Sequence, residues 1–210
     1  MSRPQARALL KPLVWLACSL PLLWLGYAVA VELQRPGAVL GADPGEAVVH
    51  HLGQWGMRVL LLALAISPLR RRLGWPGLAR VRRLVGLFAF TYLGLHFVAY
   101  AWFLAGFDWA FIFADLTRRT YIIAGALGLL ALVPLAVTST RGWQRRLGRR
   151  WPQLHRLVFV AAALGLAHLI WLTKDGYGEV LVYAVVFLLL IGERLSARRT
   201  SHGRSGQAAV

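Results

Sequence analysis

The sequence predicts an all-α integral membrane protein, a bundle of six transmembrane helices with both ends of the chain in the cytoplasm. Three features lead to this prediction: 58% of the 210 residues are hydrophobic, six apolar stretches have the length of a membrane span, and the cations collect in alternate loops. Only 15% of the residues are charged, against about 25% in a typical soluble domain. We expect one membrane domain, residues 1–199, and a polar cytoplasmic tail, residues 200–210.

Each predicted span approaches or exceeds the roughly 18–20 residues with which an α-helix crosses a bilayer. The six spans are Leu10–Val31, Val48–Leu69, Leu84–Leu104, Tyr121–Thr138, Leu154–Leu172 and Tyr177–Leu195. The first span has features of a signal peptide, but its apolar part is long and five spans follow, so we expect it to be retained. The connections are short, which predicts that consecutive helices are antiparallel neighbours in a compact bundle. We find no internal repeat.

The distribution of charge predicts the orientation. The loops that would be cytoplasmic hold 19 of the 24 Lys and Arg residues, which is the positive-inside pattern. Seven of the eight acids fall on the other side: Glu32, Asp43, Glu46, Asp108, Asp115, Asp175 and Glu179. The basic clusters then lie at anionic lipid headgroups, so the net charge of +16 does not require a nucleic acid as partner. We expect the acidic outer loops, including Asp108 and Asp115, to contribute to docking of a protein partner.

The single cysteine limits the cofactor chemistry. Cys18 lies inside the first span, so an intrachain disulfide, a thiolate iron–sulfur cluster and a Cys-x-x-Cys-His haem attachment are all excluded. Any haem must be bound without a covalent link. The aromatic loop at residues 105–115 predicts either a short interfacial helix or a docking surface, and the sequence does not separate the two.

Two histidines are predicted to lie at the same depth in the outer half of the membrane. His96 follows Arg83 by 13 residues and His168 follows Arg156 by 12, and both helices start at the cytoplasmic side and rise about 1.5 Å per residue. Ionisable residues in a membrane usually mark a functional site inside the bundle. Two imidazoles on facing helices are the ligands that a six-coordinate haem iron requires.

His155 belongs to a different site. It lies about 20 Å below His168 and points roughly 140° away from it, so the two cannot share one iron. A second haem near the cytoplasmic face would complete an electron path across the bilayer. Its second ligand is missing, because the residue 14 positions before His96 is Arg82. An interfacial role for His155 therefore stays open.

The second span carries further candidate groups near its outer end. His50 and His51 start this span, and they suit either a quinol or proton site or a simple helix entry. Arg58 lies deeper and is expected to pair with a carboxylate, a haem propionate or a backbone carbonyl. Arg82 is a further candidate for a propionate.

Three functions fit these residues: a haem electron-transfer subunit, a stand-alone haem ferric or quinone reductase, and a haem-free transporter that uses its histidines as a proton relay. A proton-coupled transporter is expected to carry carboxylates inside the membrane. Of the acids, only Glu193 comes near the cytoplasmic end of a predicted span. The sequence assigns no catalytic residue.

The chain also resembles a known family. The segments GADPGEAVVHHLGQWGMRVLLLALAISPL, RVRRLVGLFAFTYLGLHFVAYAW and AVTSTRGWQRRLGRRWPQLHRLVFVAAALGLAHLIW are similar to the YedZ/MsrQ membrane haem subunits, a branch of the ferric-reductase-like transmembrane domains. The resemblance runs from about Gly41 to Trp171 and is most specific around His155. It places His96, His155 and His168 on histidines on which the family relies, and His50 on a histidine of its second span.

The resemblance implies a b-type cytochrome of the bacterial inner membrane, with one or two haems b and flavin mononucleotide (FMN) as a further candidate cofactor. It implies that electrons come from the quinone pool and pass to MsrP, a periplasmic molybdopterin enzyme that repairs methionine sulfoxide in oxidised proteins. The wider group usually has two histidines on each of two helices, and Arg82 departs from that pattern. Its FAD and NADPH domain has no counterpart in these 210 residues, so electrons must come from a lipid-soluble carrier or a separate protein.

Overall fold

The structure, a computed structural model, describes the backbone of residues 3–174 and 176–207 and the side chains of residues 9–174 and 176–197. Over these residues the chain is all-helical. The helices are α1 Arg3–Gln34, α2 Pro44–Leu73, α3 Leu78–Ala99, α4 Trp109–Arg118, α5 Thr120–Val137, α6 Arg141–Leu147, α7 Trp151–Leu154, α8 Leu157–Leu172 and α9 Gly178–Gln207. A π-helical turn, Tyr100–Leu104, extends α3, and a 3₁₀ turn, Gly148–Arg150, joins α6 to α7.

The chain is a multi-pass membrane protein. Five helices in the described part of the chain are long and apolar enough to cross a membrane, and the segments Arg141–Leu154 and Leu157–Leu172 form a sixth span if the bent pair counts as one. The two segments meet at 47°, so the prediction of a continuous helix from Leu154 is wrong. His155 and Arg156 instead form a turn, in which their N–H groups donate to the carbonyls of Trp151 and Gln153. The last helix continues into the predicted tail as far as Gln207.

Local sequence explains where α2 starts and stops. Asp43 caps the helix by accepting a hydrogen bond from the N–H of Glu46 at 2.9 Å, and Pro44 occupies the first turn, where a missing N–H costs nothing. Gly74 ends the helix in the left-handed conformation, with φ of 59°, which glycine adopts without steric strain. The helix α2 is therefore longer at both ends than the second predicted span, Val48–Leu69.

Four helices form a ring. α2 packs chiefly on α3 and α5 packs chiefly on α8, while contacts of α3 with α5 and of α2 with α8 close the ring. The helices α3 and α8 thus lie on one diagonal. α1 packs outside on α2 and α3, and α9 packs outside on α2 and α8. The hydroxyl of the fully buried Tyr92 on α3 donates to the carbonyl of Cys18 at 2.8 Å, which ties α1 to the ring.

The ring is built from two equivalent hairpins, α2–α3 and α5–α8. Glycines let the helices approach closely at matching positions: a Cβ at Gly56 would lie 2.6 Å from Leu93 Cδ2, and a Cβ at Gly128 would lie 3.3 Å from the carbonyl oxygen of Ala161. Each glycine is the second of a Gly-x-x-Gly segment, GQWG in α2 and GALG in α5. The two hairpins therefore share a structural pattern, although the sequence shows no longer repeat.

The ring has two distinct ends. We call the end at which α2 and α5 begin the histidine-pair end, because His96 and His168 lie there, and the end at which α3 and α8 begin the arginine-rich end. The short helix α4 lies beyond the histidine-pair end of α3. Asp108 caps α4 by accepting from the N–H groups of Ala110 and Phe111 at 2.8 and 3.2 Å. The aromatic loop thus contains a short helix, which is one of the two structures predicted for it.

Candidate functional site

His96 and His168 meet inside the ring at the histidine-pair end. Their ring centroids lie 6.1 Å apart, with an angle of 81° between the ring planes. The two side chains come from α3 and α8, the helices on one diagonal of the ring, so they approach each other across its centre. The structure therefore brings together the two histidines that the sequence placed at equal depth.

Each imidazole is oriented by a backbone carbonyl. His96 Nδ1 lies 2.9 Å from the carbonyl oxygen of Val49, and His168 Nδ1 lies 2.6 Å from that of Tyr121. A carbonyl only accepts hydrogen bonds, so Nδ1 of each ring must carry the proton and donate. The Nε2 atom of each ring is then left with a lone pair. Such a bond fixes the tautomer and orientation of metal-binding histidines in general.

Two glycines make room for these rings. A Cβ at Gly53 would lie 3.0 Å from His96 Nδ1, and a Cβ at Gly125 would lie 2.9 Å from His168 Nδ1. Gly53 lies four residues after Val49 and Gly125 lies four residues after Tyr121, the two residues whose carbonyls the histidines bond. In both hairpins that carbonyl residue precedes the histidine by 47 positions. These glycines were not predicted as part of the site, although the repeated Gly-x-x-Gly spacing in α2 and α5 is a signal for them.

The geometry fits a metal held between two imidazoles. Bonds from a metal to imidazole nitrogen are about 2 Å long, so an intervening metal separates two ring centroids by about 6 Å. Neutral imidazoles on the iron axis are a normal donor set for haem, and helix bundles build such sites from facing helices. His96 and His168 are therefore the residues that could hold a haem iron.

His155 and Arg82 lie at the arginine-rich end, away from the histidine pair. Both line a cavity of about 310 Å³ in the centre of the ring, together with Arg70 and Arg83. The apolar part of the lining comes from all four ring helices: Leu60, Ala63, Leu64, Ile66, Ala79, Leu87, Phe90, Leu132, Leu135 and Val158. The volume lies at the lower end of the range for ligand pockets, about 300–1,000 Å³. Three cations on its wall suit an anionic group.

The His155 ring is held against Trp151. The centroids of the two rings lie 3.9 Å apart, and His155 Nδ1 lies 3.2 Å from the Trp151 carbonyl oxygen. The indole N–H of Trp151 in turn donates to the carbonyl of Thr138 at 3.0 Å. These contacts fix His155 at the bend between α7 and α8, on the wall of the cavity.

The remaining predicted residues lie on α2. His50 is exposed and its Nε2 lies 3.7 Å from a carboxylate oxygen of Glu46. Arg58 pairs with the carboxylate of Glu179 at 2.5 Å and donates to the Tyr183 hydroxyl at 2.8 Å. Of the three partners predicted for Arg58, the structure gives it a carboxylate. The sequence places Glu179 on the outer side, at the start of the sixth predicted span, and does not single out Tyr183, because pairing across 121 residues leaves no local pattern.

Most carboxylates near the histidine-pair end are bonded within the chain. Asp115 is only 5% exposed, accepts from the Tyr100 hydroxyl at 2.8 Å and pairs with Arg119 at 3.0 Å. A hydrogen bond to the Tyr121 hydroxyl raises the pKa of Arg119, which stays charged. Others bonded internally are Glu32, Asp43, Asp108 and Glu179, and Asp175 lies outside the described residues. Asp115 is thus not exposed for docking, whereas Glu46 is.

Comparisons with known proteins identify the family. Residues 52–166 match the family described as Ferric reductase like transmembrane component. Three relatives bear the name protein-methionine-sulfoxide reductase heme-binding subunit MsrQ. The relative from Caulobacter vibrioides is 45% identical over 90% of this chain and 88% of its own length, that from Rhodospirillum rubrum is 47% identical over 91% of each, and that from Xanthomonas campestris is 43% identical over 91% and 89%.

No solved structure matches the chain at a significant level. The family match covers more than half of the chain, and the relatives align with it almost end to end. The chain therefore belongs to the MsrQ family of ferric-reductase-like transmembrane proteins.

Proposed function

We propose that this chain is a b-type cytochrome of the bacterial inner membrane and the electron-transfer subunit of a protein-methionine-sulfoxide reductase system. In this proposal it takes electrons from the quinone pool and passes them to the periplasmic catalytic subunit MsrP. The observation that carries the proposal is the pair His96 and His168, whose Nδ1 atoms are tied to backbone carbonyls and whose rings lie 6.1 Å apart. The names of the relatives, which call them heme-binding subunits, support it.

His96 and His168 would hold the haem iron, and the haem would supply a centre that gains and loses one electron. The chain's own contribution is orientation. The carbonyls of Val49 and Tyr121 hold the Nδ1 protons, so both rings present Nε2 as neutral ligands. The two imidazoles come from different hairpins of the four-helix ring. Binding a metal between them would therefore also join the hairpins.

The chemistry of sulfoxide repair fits a division between two proteins. Reduction of a methionine sulfoxide to methionine consumes two electrons and two protons and releases water. A membrane subunit with one-electron carriers delivers the electrons, and the partner binds the sulfoxide and takes up the protons. The chain described here would therefore act as a relay, with the bond-breaking step in MsrP.

The cavity at the arginine-rich end is the proposed place for a second cofactor. His155 would bind the iron of a second haem b, and Arg70, Arg82 and Arg83 on the same wall would neutralise its propionates. The same cations suit the phosphate of FMN. Arg82 stands where a second histidine ligand would be required, which supports either a haem with His155 as its one histidine ligand or a flavin. Either group would extend the electron path toward the cytoplasmic side.

The experiment that tests the proposal is a reconstitution. The purified chain is analysed for haem, flavin and protein, then mixed anaerobically with a quinol and with MsrP, and reduction of a methionine sulfoxide substrate is measured. We expect at least one haem b per chain and quinol-dependent turnover that is lost in His96→Ala and His168→Ala. A haem-free chain, or haem reduction without any transfer to MsrP, would contradict the proposal.

A further inference from the structure

An open groove of about 480 Å³ lies outside the four-helix ring, between α1 and α2. It is lined by Ala17, Leu20, Pro21, Trp24, His51 and Trp55. Leu20 is 54% exposed and Trp24 is 48% exposed, on a helix that the bundle places against lipid. The groove is therefore open sideways to the membrane, with apolar and aromatic walls and a single imidazole.

The imidazole is His51, and its environment defines its proton chemistry. The ring stacks on Trp24, with centroids 4.9 Å apart and an angle of 23° between the planes. Its Nε2 lies 3.1 Å from the carbonyl oxygen of Pro21. Since a carbonyl only accepts, Nε2 carries the proton and Nδ1 remains a proton acceptor.

Polar groups continue along the same face of α2. The guanidinium of Arg58 lies 4.9 Å from the centroid of the Trp55 ring, and Arg58 pairs with Glu179 at the start of α9. Gln54 also donates to Glu179 at 3.2 Å. Charged groups at this depth usually serve a function. The groove thus has an apolar mouth, and beside it Gln54 and Arg58 of α2 bond Glu179 at the start of α9.

The groove lies close to the histidine pair. At 100° per residue, His51, Trp55 and Arg58 point roughly opposite to Gly53, the glycine that contacts His96. Only the helix α2, about 10 Å across, separates the groove from the proposed haem. No other ring helix intervenes, because α2 packs directly on α3.

We propose that this groove binds the head group of a membrane hydroquinone and that the His51 imidazole accepts its protons. The inference rests on the proposed function, in which a quinol is the electron donor, and it names the site. Oxidation of the hydroquinone breaks two O–H bonds. In each of two steps His51 Nδ1 would accept one proton from the hydroquinone, and one electron would pass to the haem proposed at His96 and His168, which MsrP would reoxidise between the steps. Each proton would then leave His51 to water at the histidine-pair end.

The chemistry of the groove favours a quinol over an anionic cofactor. A lipid-soluble ring enters from the side, where the walls are apolar, and stacks on Trp24 and Trp55. The cavity at the arginine-rich end has the opposite character, because three arginines line it. Electrons from a quinol in the groove would enter beside His96 and would bypass His155.

Binding is tested by isothermal titration of the purified full chain with ubiquinone-1 in detergent. We expect Trp24→Leu, which removes the stacking wall, and Leu20→Trp, which fills the groove, each to weaken binding about tenfold. Trp102→Leu is the matched control, because Trp102 is 62% exposed and lies in the π-helical turn after α3, outside the lining of the groove, and it should leave binding unchanged. The two variants change the side-chain volume in opposite directions. A folding defect in one of them would therefore still leave the other to test binding.

Proton transfer is tested with His51→Gln. Glutamine can still donate to the Pro21 carbonyl but does not accept a proton, so binding of ubiquinone-1 should persist while anaerobic reduction of the haem by ubiquinol-1 slows about a hundredfold. Reduction by dithionite should be unchanged, and Trp102→Leu should leave the quinol reaction intact.

Two results would overturn the inference. They differ in whether the quinone pool remains the electron donor of the proposed function. If ubiquinone-1 binds the wild type and both groove variants equally, and His155→Ala removes binding, the quinone site lies at the arginine-rich end and the proposed function stands. If ubiquinone-1 does not bind and ubiquinol-1 does not reduce a haem that dithionite reduces, the quinone pool is not the donor.

Discussion

His96 and His168 are held by the same contact in two different hairpins. Each ring bonds the carbonyl of a residue 47 positions earlier in the chain, and each lies against a glycine one helical turn after that carbonyl. The rings face each other at 6.1 Å. Backbone carbonyls and two glycines therefore position both of the proposed haem ligands.

The first prediction concerns these glycines. Gly53→Ala and Gly125→Ala would place a Cβ within 3.0 Å of a histidine Nδ1, so the ring must move away from its carbonyl. We expect loss of haem, or a shift of its optical spectrum, in both variants. Gly94→Ala on α3, with nothing within 4 Å of the new Cβ, is the control and should keep the wild-type spectrum. Wild-type spectra in all three variants would show that the close contacts do not matter.

The second prediction concerns the link between α1 and the ring. Tyr92→Phe removes the bond from a fully buried hydroxyl to the Cys18 carbonyl, and the free energy of unfolding should fall by about 1 kcal/mol. Unfolding in mixed detergent micelles measures the change. Thr91→Ala, at an exposed residue that bonds only its own helix, should change the stability by less. Equal effects of the two substitutions would contradict this role for Tyr92.

The third prediction concerns the cavity at the arginine-rich end. Arg82→Leu should lower the content of a second cofactor, whether haem or flavin, because it removes a cation from the cavity wall. The haem held by His96 and His168 should remain. Arg80→Leu removes an exposed cation outside the cavity and should leave both cofactors in place. Loss of the second cofactor in Arg80→Leu as well would point to net charge rather than to the cavity.

The fourth prediction concerns docking of the partner. Glu46 is exposed, so Glu46→Gln should slow electron transfer to MsrP and weaken its dependence on salt. Asp115→Asn should leave the salt dependence unchanged and lower stability instead, because Asp115 is buried against Tyr100 and Arg119. Rates measured over a series of ionic strengths separate the two effects. A rate insensitive to salt would exclude electrostatic docking by these carboxylates.

Much of the fold could be predicted from the sequence, because hydrophobic length and loop charge act locally. The equal depth of His96 and His168 followed from counting residues along two helices. The break at His155 could not be found in this way, since residues 154–172 are apolar enough to suggest one continuous helix. The pairing of Arg58 with Glu179 also escaped prediction, because it joins helices far apart in the chain.

The role of the glycines was missed for a related reason. Gly53 and Gly125 are ordinary small residues in an apolar helix until the position of the opposing histidine is known. The repeated Gly-x-x-Gly spacing marks them, but only the distance between two helices shows which side chain each glycine contacts. The hairpin repeat was hidden in the same way, because matching positions share few residue types beyond the glycines and the histidines.

The most direct test of the account is electron paramagnetic resonance of the oxidised chain, on the wild type, His96→Ala and His168→Ala, with the haem content measured in parallel. We expect a low-spin ferric signal of a haem with two imidazole ligands, lost in both variants. A low-spin signal that persists at full haem content in either variant would contradict the assignment of His96 and His168 as the ligand pair.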